Sequence, residues 1–526
     1  MEDRVNTLAL VNGKIVSPLG IHDSLVVKGN KIEYVGRKDE ALEIAGKNAK
    51  VINLKGYTVL PGFIDAHMHL LEFSLSLRHI DLRNVSSIQE LKAKIYEKAK
   101  SLGPGEWILG RGWDQELFTE KRWPTRYDID EVAPKNPVIL WRICGHIAVV
   151  NTLALRKAGI DKNTPDPPGG VIDRDEKGEP TGVLKESAIE LIRRIIPSPS
   201  FKDYLNALKR GVQELLSHGI TTVHFVSCTK EAFELLRYVL VNEGLPIRVR
   251  VYFSSSHIDY AVKISQKLGK NSILKVSGIK IMADGSLGGR TAYLKEPYAD
   301  YPGRGLLTIN KKKLREILEK TRSYGLQAAV HAIGDAAIEE TLKAYEDVGV
   351  TPKERFRVEH ASLLSSELMN FMSRLGIVAV VQPHFIISDW WIVQRVGKER
   401  ARWVYPFKSL LNSKINVAFS TDAPVEPIDP WLTLQAAITR GEELNIELAR
   451  YTQSERLNLG EALKCYTQGS AYASFDETLL GTIMPGKLAD LIVVDTNPFE
   501  LNPNEITKIK VLMTIVDGNI VYSSSF

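Results

Sequence analysis

The texture of hydrophobic and polar positions changes more than once along the chain. Up to about residue 58, short β-prone runs alternate with tight turns. Thr7-Leu8-Ala9-Leu10-Val11 precedes Asn12-Gly13 and the run 14–16; Ser24-Leu25-Val26-Val27 precedes Lys28-Gly29-Asn30 and the run 31–35; and 51–54 follows. Asn-Gly between two such runs is a hairpin signal, so 7–11 and 14–16 are expected to pair. The same texture returns in 488–495 and 511–516, with Asp517-Gly518-Asn519 as a turn before Ile520-Val521-Tyr522. This much strand without a helix cannot fill a core alone. The two ends are therefore expected to build one small β-sandwich from 1–58 and 473–526, flanking a domain at 59–472.

In the middle, short apolar runs at 220–225, 247–253, 277–282, 327–331, 356–360, 377–381 and 415–420 alternate with amphipathic stretches such as 204–218, 230–242, 311–324 and 335–348. With the run Gly62-Phe63-Ile64-Asp65-Ala66 they make eight strands, and the pattern predicts a (β/α)8 barrel of the α/β class. A doubly wound open sheet is the alternative, but no G-x-G-x-x-G follows the first strand. Residues 70–200 interrupt the alternation with Trp107, Trp113, Trp123 and Trp141, a Pro/Gly-rich loop at 163–170 and a hairpin at 171–179. An insertion after the first strand is expected to act as a lid or substrate subdomain at the mouth where barrel enzymes keep their chemistry.

Composition narrows the function classes. At 526 residues the chain is too long for one core. A net charge of +5 without basic blocks argues against nucleic acid. No apolar run approaches membrane-spanning length and the N-terminus has no apolar signal core, so a cytoplasmic protein is expected. Cys144, Cys228 and Cys465 are odd in number and far apart, and read as reduced, mostly buried thiols. Abundant Lys, Glu, Arg and Ile with sparse Gln fits a thermophile.

The candidate chemistry lies at the strand ends. His67 and His69 stand at i and i+2, on one face at the end of the first strand. Alone, such a pair reads better as two ordinary surface histidines; Asp65, the preceding Pro61-Gly62 turn and the apolar run tilt the reading toward a metal site. Later strands add Lys280 inside an apolar run, His331, His360 and Asp422. A barrel brings all of these tips to one mouth, which points to a divalent-metal site. A buried lysine costs several kcal/mol unless paired or modified; Asp284 and Glu186 are candidate partners. In the insertion, Trp113 and Trp141 are candidate pocket walls. Arg111, His146, Asp284 and Arg290 are candidates to hold a polar group of a small-molecule substrate, with ordinary packing or surface ion pairs as the alternative. A serine-hydrolase reading fails for want of a G-x-S-x-G elbow.

Leu60-Pro61-Gly62-Phe63-Ile64-Asp65-Ala66-His67-Met68-His69, Gly110-Arg111-Gly112-Trp113-Asp114, Gly145-His146-Ile147-Ala148-Val149-Val150-Asn151, Val358-Glu359-His360, Ser420-Thr421-Asp422-Ala423-Pro424 and Gly486-Lys487-Leu488-Ala489-Asp490-Leu491 together resemble the amidohydrolase superfamily, in its YtcJ-like branch, amidohydrolase family 3. The resemblance implies a hydrolase of non-peptide C–N bonds, of linear amide, N-acyl or N-formyl type. Cyclic amidases, deaminases and a non-catalytic metal-binding regulator are the alternatives. It implies His67, His69, His331 and Asp422 as metal ligands, with His360 as a second-metal ligand or substrate-facing acid. It also implies Lys280 as a carboxylated bridge between two ions. Zinc is the expected metal; iron, manganese or nickel would fit the same nitrogen and oxygen donors. Asp422 is the expected general base toward a metal-activated water. Barrels of this kind often pair, so a homodimer is compatible.

Overall fold

The computed structural model describes residues 7–83, 85–142, 146–268 and 273–524; Cys144 and Gly145 lie outside them. Eight parallel strands follow one another in chain order: Phe63–Met68, Ile220–Cys228, Arg248–Ser254, Leu274–Met282, Gln327–Ala332, Arg357–His360, Val378–Val381 and Val417–Phe419. The first and last strands approach without a continuous ladder. They are linked at their C-terminal ends, where Asp422 N–H donates to the His67 carbonyl and His69 N–H to the Ala423 carbonyl, each at 2.8 Å. Buried Asp65 adds a bond from Thr421 Oγ1 at 2.5 Å. The result is a nearly closed barrel. Its strands are buried on both faces, because side chains fill the interior and helices cover the outside. Helices Lys230–Asn242 and Lys311–Ser323 begin where Thr229 and Asn310 accept backbone N–H bonds as N-caps.

Both ends of the chain feed two further sheets. Strands Lys31–Gly36, Ser24–Lys28, Thr7–Val11 and Lys50–Asn53 form one. Asn519–Ser523, Val511–Val516, Leu491–Val494, Thr58–Pro61, Lys14–Ser17 and Gly20–His22 form the other. Leu10, Leu25, Val27, Val59, Leu491, Val493 and Ile515 share one apolar core between them. The expected pairing of 7–11 with 14–16 does not occur. Both edges of Thr7–Val11 are taken, by Ser24–Lys28 and Lys50–Asn53, and Lys14–Ser17 lies in the other sheet. Asn12 does adopt the left-handed conformation of a turn, but the turn passes the chain between sheets. Helix Lys38–Ala45 also stands in this region, where the sequence pattern predicts strands alone; Ala41 and Ala45 are its buried stripe.

Thr58–Pro61 belongs to a terminal sheet and Phe63–Met68 to the barrel, so Gly62 is the hinge between them. A Cβ at Gly62 would stand 2.3 Å from the Thr221 side chain.

Residues 74–208 form a separate compact unit. Its six-stranded sheet runs Gly170–Arg174, Pro180–Glu186, Ile147–Val150, Val138–Arg142, Ile108–Trp113, Ile80–Asp81. The first two make the expected hairpin. Helix Ile88–Lys100, capped by Ser87, buries Ile88, Leu91 and Ile95 at helical spacing.

Candidate metal centre

His67 and His69 leave the end of the first strand with Nε2 atoms each 3.3 Å from Oδ1 of Asp422, which follows the eighth strand. Asp422 Oδ1 is buried and receives no hydrogen bond. Two imidazole nitrogens and one carboxylate oxygen thus converge on one point, within 4.8 Å of one another. Burial opposes ionisation of Asp422, but the neighbouring His67 and His69 hold its pKa well below the usual carboxylate range. An orphaned anionic oxygen between two imidazoles fits a divalent cation by geometry and by donor type.

The left-handed backbone of Asp422, φ +57°, aims this carboxyl back toward the first strand. His360 is left-handed as well, φ +70°, an uncommon conformation that clusters at functional sites. It breaks strand alternation, so consecutive Glu359 and His360 both reach His67: Glu359 Oε2 meets His67 Nδ1, and the His360 and His67 rings are 4.9 Å apart.

The other strand-end residues surround this trio without joining it. His360 is fully buried and, by burial first, held down to about 3, so it is neutral. Its Nδ1 meets Gln382 Oε1 at 2.8 Å, and the Gln382 amide nitrogen donates to Ser420. The oxygen therefore accepts from Nδ1, leaving the His360 Nε2 lone pair free. His331 lies 4.5 Å from His360, ring to ring. Its Nε2 donates to the Gly285 carbonyl at 2.9 Å, which leaves Nδ1 as the atom able to bind a metal. Lys280 is buried in the fourth strand; desolvation lowers its pKa to about 8 against the pull of Glu359 and Asp422. Among the described residues no carboxylate forms an ion pair with it.

Four of the candidate substrate contacts have partners within the protein. Asp284 is buried and accepts backbone N–H bonds from Ile333, Gly334 and Tyr293, so its oxygens hold loops together. Arg290 forms a two-point pair with Asp300 at 2.8 and 3.1 Å. Within 74–208, Trp113 is wholly buried in the unit's own core and donates Nε1–H to the Leu140 carbonyl. It packs that core. His146 is exposed and pairs with Glu186 at 3.0 Å. Arg111 is exposed, and half-buried Trp141 stacks on His79 at 6.0 Å.

Sequence reasoning assigned no role to Arg357 or Glu359, although both are wholly buried. Burial would raise the Glu359 pKa, but Arg357 outweighs it and keeps the carboxyl ionised. The available signal was an Arg-x-Glu pair inside an apolar strand, the same anomaly that singled out Lys280.

A model described as the amidohydrolase family matches residues 50–522. The chain is 34% identical to the putative amidohydrolase YtcJ of Bacillus subtilis, covering 96% of each. It is 28% identical to an N-substituted formamide deformylase of Arthrobacter pascens, covering 95% of this chain and 94% of the relative. The crystal structure of an uncharacterised metal-dependent hydrolase from Pyrococcus horikoshii superposes with a TM-score of 0.78 at 37% identity, covering 95% of this chain and 99% of that one. The barrel, the strand-end ligand cluster and this match over most of the length agree: the chain belongs to the amidohydrolase family.

Proposed function

We propose that the protein hydrolyses a linear C–N bond of amide, N-acyl or N-formyl type, with His67, His69 and Asp422 holding a divalent cation. The observation that carries this reading is Asp422 Oδ1, buried and 3.3 Å from two imidazole Nε2 atoms. The formamide deformylase named among its relatives supports the N-formyl class. Zinc is the expected ion for two nitrogens and one oxygen. When bound, the cation supplies Lewis acidity to a substrate carbonyl and acidifies water.

The chain's own residues supply the proton handling. Asp422, held as an anion, takes the proton of the attacking water and passes it to the departing nitrogen. His360, neutral and anchored through Nδ1 on Gln382, offers Nε2 as an acceptor to substrate or to a second ion. Lys280 is buried, forms no ion pair among the described residues and has a lowered pKa, a state that favours carboxylation by carbon dioxide at Nζ. The neutral amine would bond to the carbon of carbon dioxide and release one proton to solvent, and the two oxygens of the resulting carbamate would be the anionic donors.

The test is a panel of N-formyl, N-acyl and cyclic amides assayed with and without chelator. Turnover of linear amides that stops with chelator and returns with zinc supports the reading. Chelator-insensitive turnover contradicts the metal-dependent mechanism, and ammonia release without amide opening would make the protein a deaminase.

A further inference from the structure

We infer that Arg357 and Glu359 form a positioning device that fixes which nitrogen of His67 faces the metal centre; this rests on the reading of that centre above. The tautomer follows from the hydrogen bonds. Arg357 grips both Glu359 oxygens, Nε to Oε1 at 2.6 Å and Nη2 to Oε2 at 2.8 Å. A carboxylate held this way is ionised and can only accept. Its contact with His67 Nδ1 therefore requires Nδ1 to carry the proton. In the neutral ring, Nε2 is then a lone pair, and Nε2 is the atom facing Asp422.

The clamp has a second hold on the same ligand. Arg357 Nη2 also donates to the Ala66 carbonyl at 2.7 Å, fixing the backbone one residue before His67. Arg357 is itself immobilised. Nη1 meets His224 Nδ1 at 3.0 Å, and the guanidinium lies 4.3 Å from the Tyr252 ring centre. Burial and the neighbouring guanidinium keep His224 well below its ordinary pKa, so it is neutral and Nδ1 accepts. Both ring orientation and ligand basicity at His67 are thus set by residues that do not touch the cation. Outer partners of metal-bound histidines are worth roughly 10- to 100-fold in metal affinity.

Removing Glu359 alone leaves Arg357 as an unpaired buried cation, so the test uses both E359Q and the charge-neutral pair R357M/E359Q. Zinc affinity is measured by competition with a chromophoric chelator between pH 6 and 8, and the fold of each apo-protein by circular dichroism. The expected result is a folded double variant that binds zinc roughly 10- to 100-fold more weakly. Affinity within about threefold of the parent in a folded variant would overturn the inference. So would failure of both variants to fold, which would make the pair a folding element. A parent protein that binds no zinc would instead sink the metal-centre reading itself, and activity enters neither comparison.

Discussion

Asp422 serves both as a ligand and as the proposed base, and an amide in its place separates the two roles. Asp422→Asn keeps an oxygen donor but cannot take a proton. We expect turnover to fall by about 10²- to 10⁴-fold while zinc content by elemental analysis falls much less. Near-parental turnover would remove Asp422 from the proton path. A second residue-scale prediction concerns His79, whose imidazole is pushed down to about 4 by burial and then by Arg78. The unfolded chain binds a proton there near pH 6.5 while the folded chain stays neutral. The unit 74–208 should therefore lose stability as pH falls from about 6.5 toward 4. Denaturant midpoints at both pH values check this, and His79→Phe should flatten the dependence. The residues legible in the sequence were those with an anomalous setting: paired histidines at a strand end, and a lysine in an apolar run. Strand alternation would put Glu359 on the face opposite His360, away from the metal cluster. The left-handed φ of His360, which defeats that rule, cannot be read from residue type.

At the scale of elements, the eight barrel strands stand within a few residues of where alternating apolar runs place them, because each is buried on both faces. The terminal region was harder. Asn12-Gly13 reports a turn, but which edge a strand finds depends on residues far away, here Lys50–Asn53 on one side of Thr7–Val11. Trp113 fills a core; residue type does not reveal which side of a sheet is dry. Gly62 offers a sharp test of the sheet-to-barrel hinge. Gly62→Ala places a methyl against Thr221, a β-branched, buried side chain. It should cost about 1–3 kcal/mol, read as a lowered thermal midpoint. Adding Thr221→Ala should recover part of the loss, and additive effects would refute a shared clash.

Across the molecule, buried ion pairs bind the terminal sheets to the barrel. Arg248, on the third barrel strand, holds Asp490 at 2.6 and 3.0 Å and Asp517 at 2.6 Å. Arg250 holds Asp476, which Lys275 also reaches. Arg248→Met strands buried Asp490 without its partner and should cost about 3–5 kcal/mol; a change under 1 kcal/mol in denaturant titration would show that the pair is dispensable. The backbone bonds from Asp422 to His67 and from His69 to Ala423 hold the tips of the first and eighth strands in register, and that register carries the central claim. The most direct test is anomalous diffraction from crystals of the zinc-loaded protein. The account predicts a zinc peak about 2.0–2.2 Å from Nε2 of His67, Nε2 of His69 and an oxygen of Asp422. A protein that takes up no zinc, or a peak elsewhere in the barrel, would contradict it.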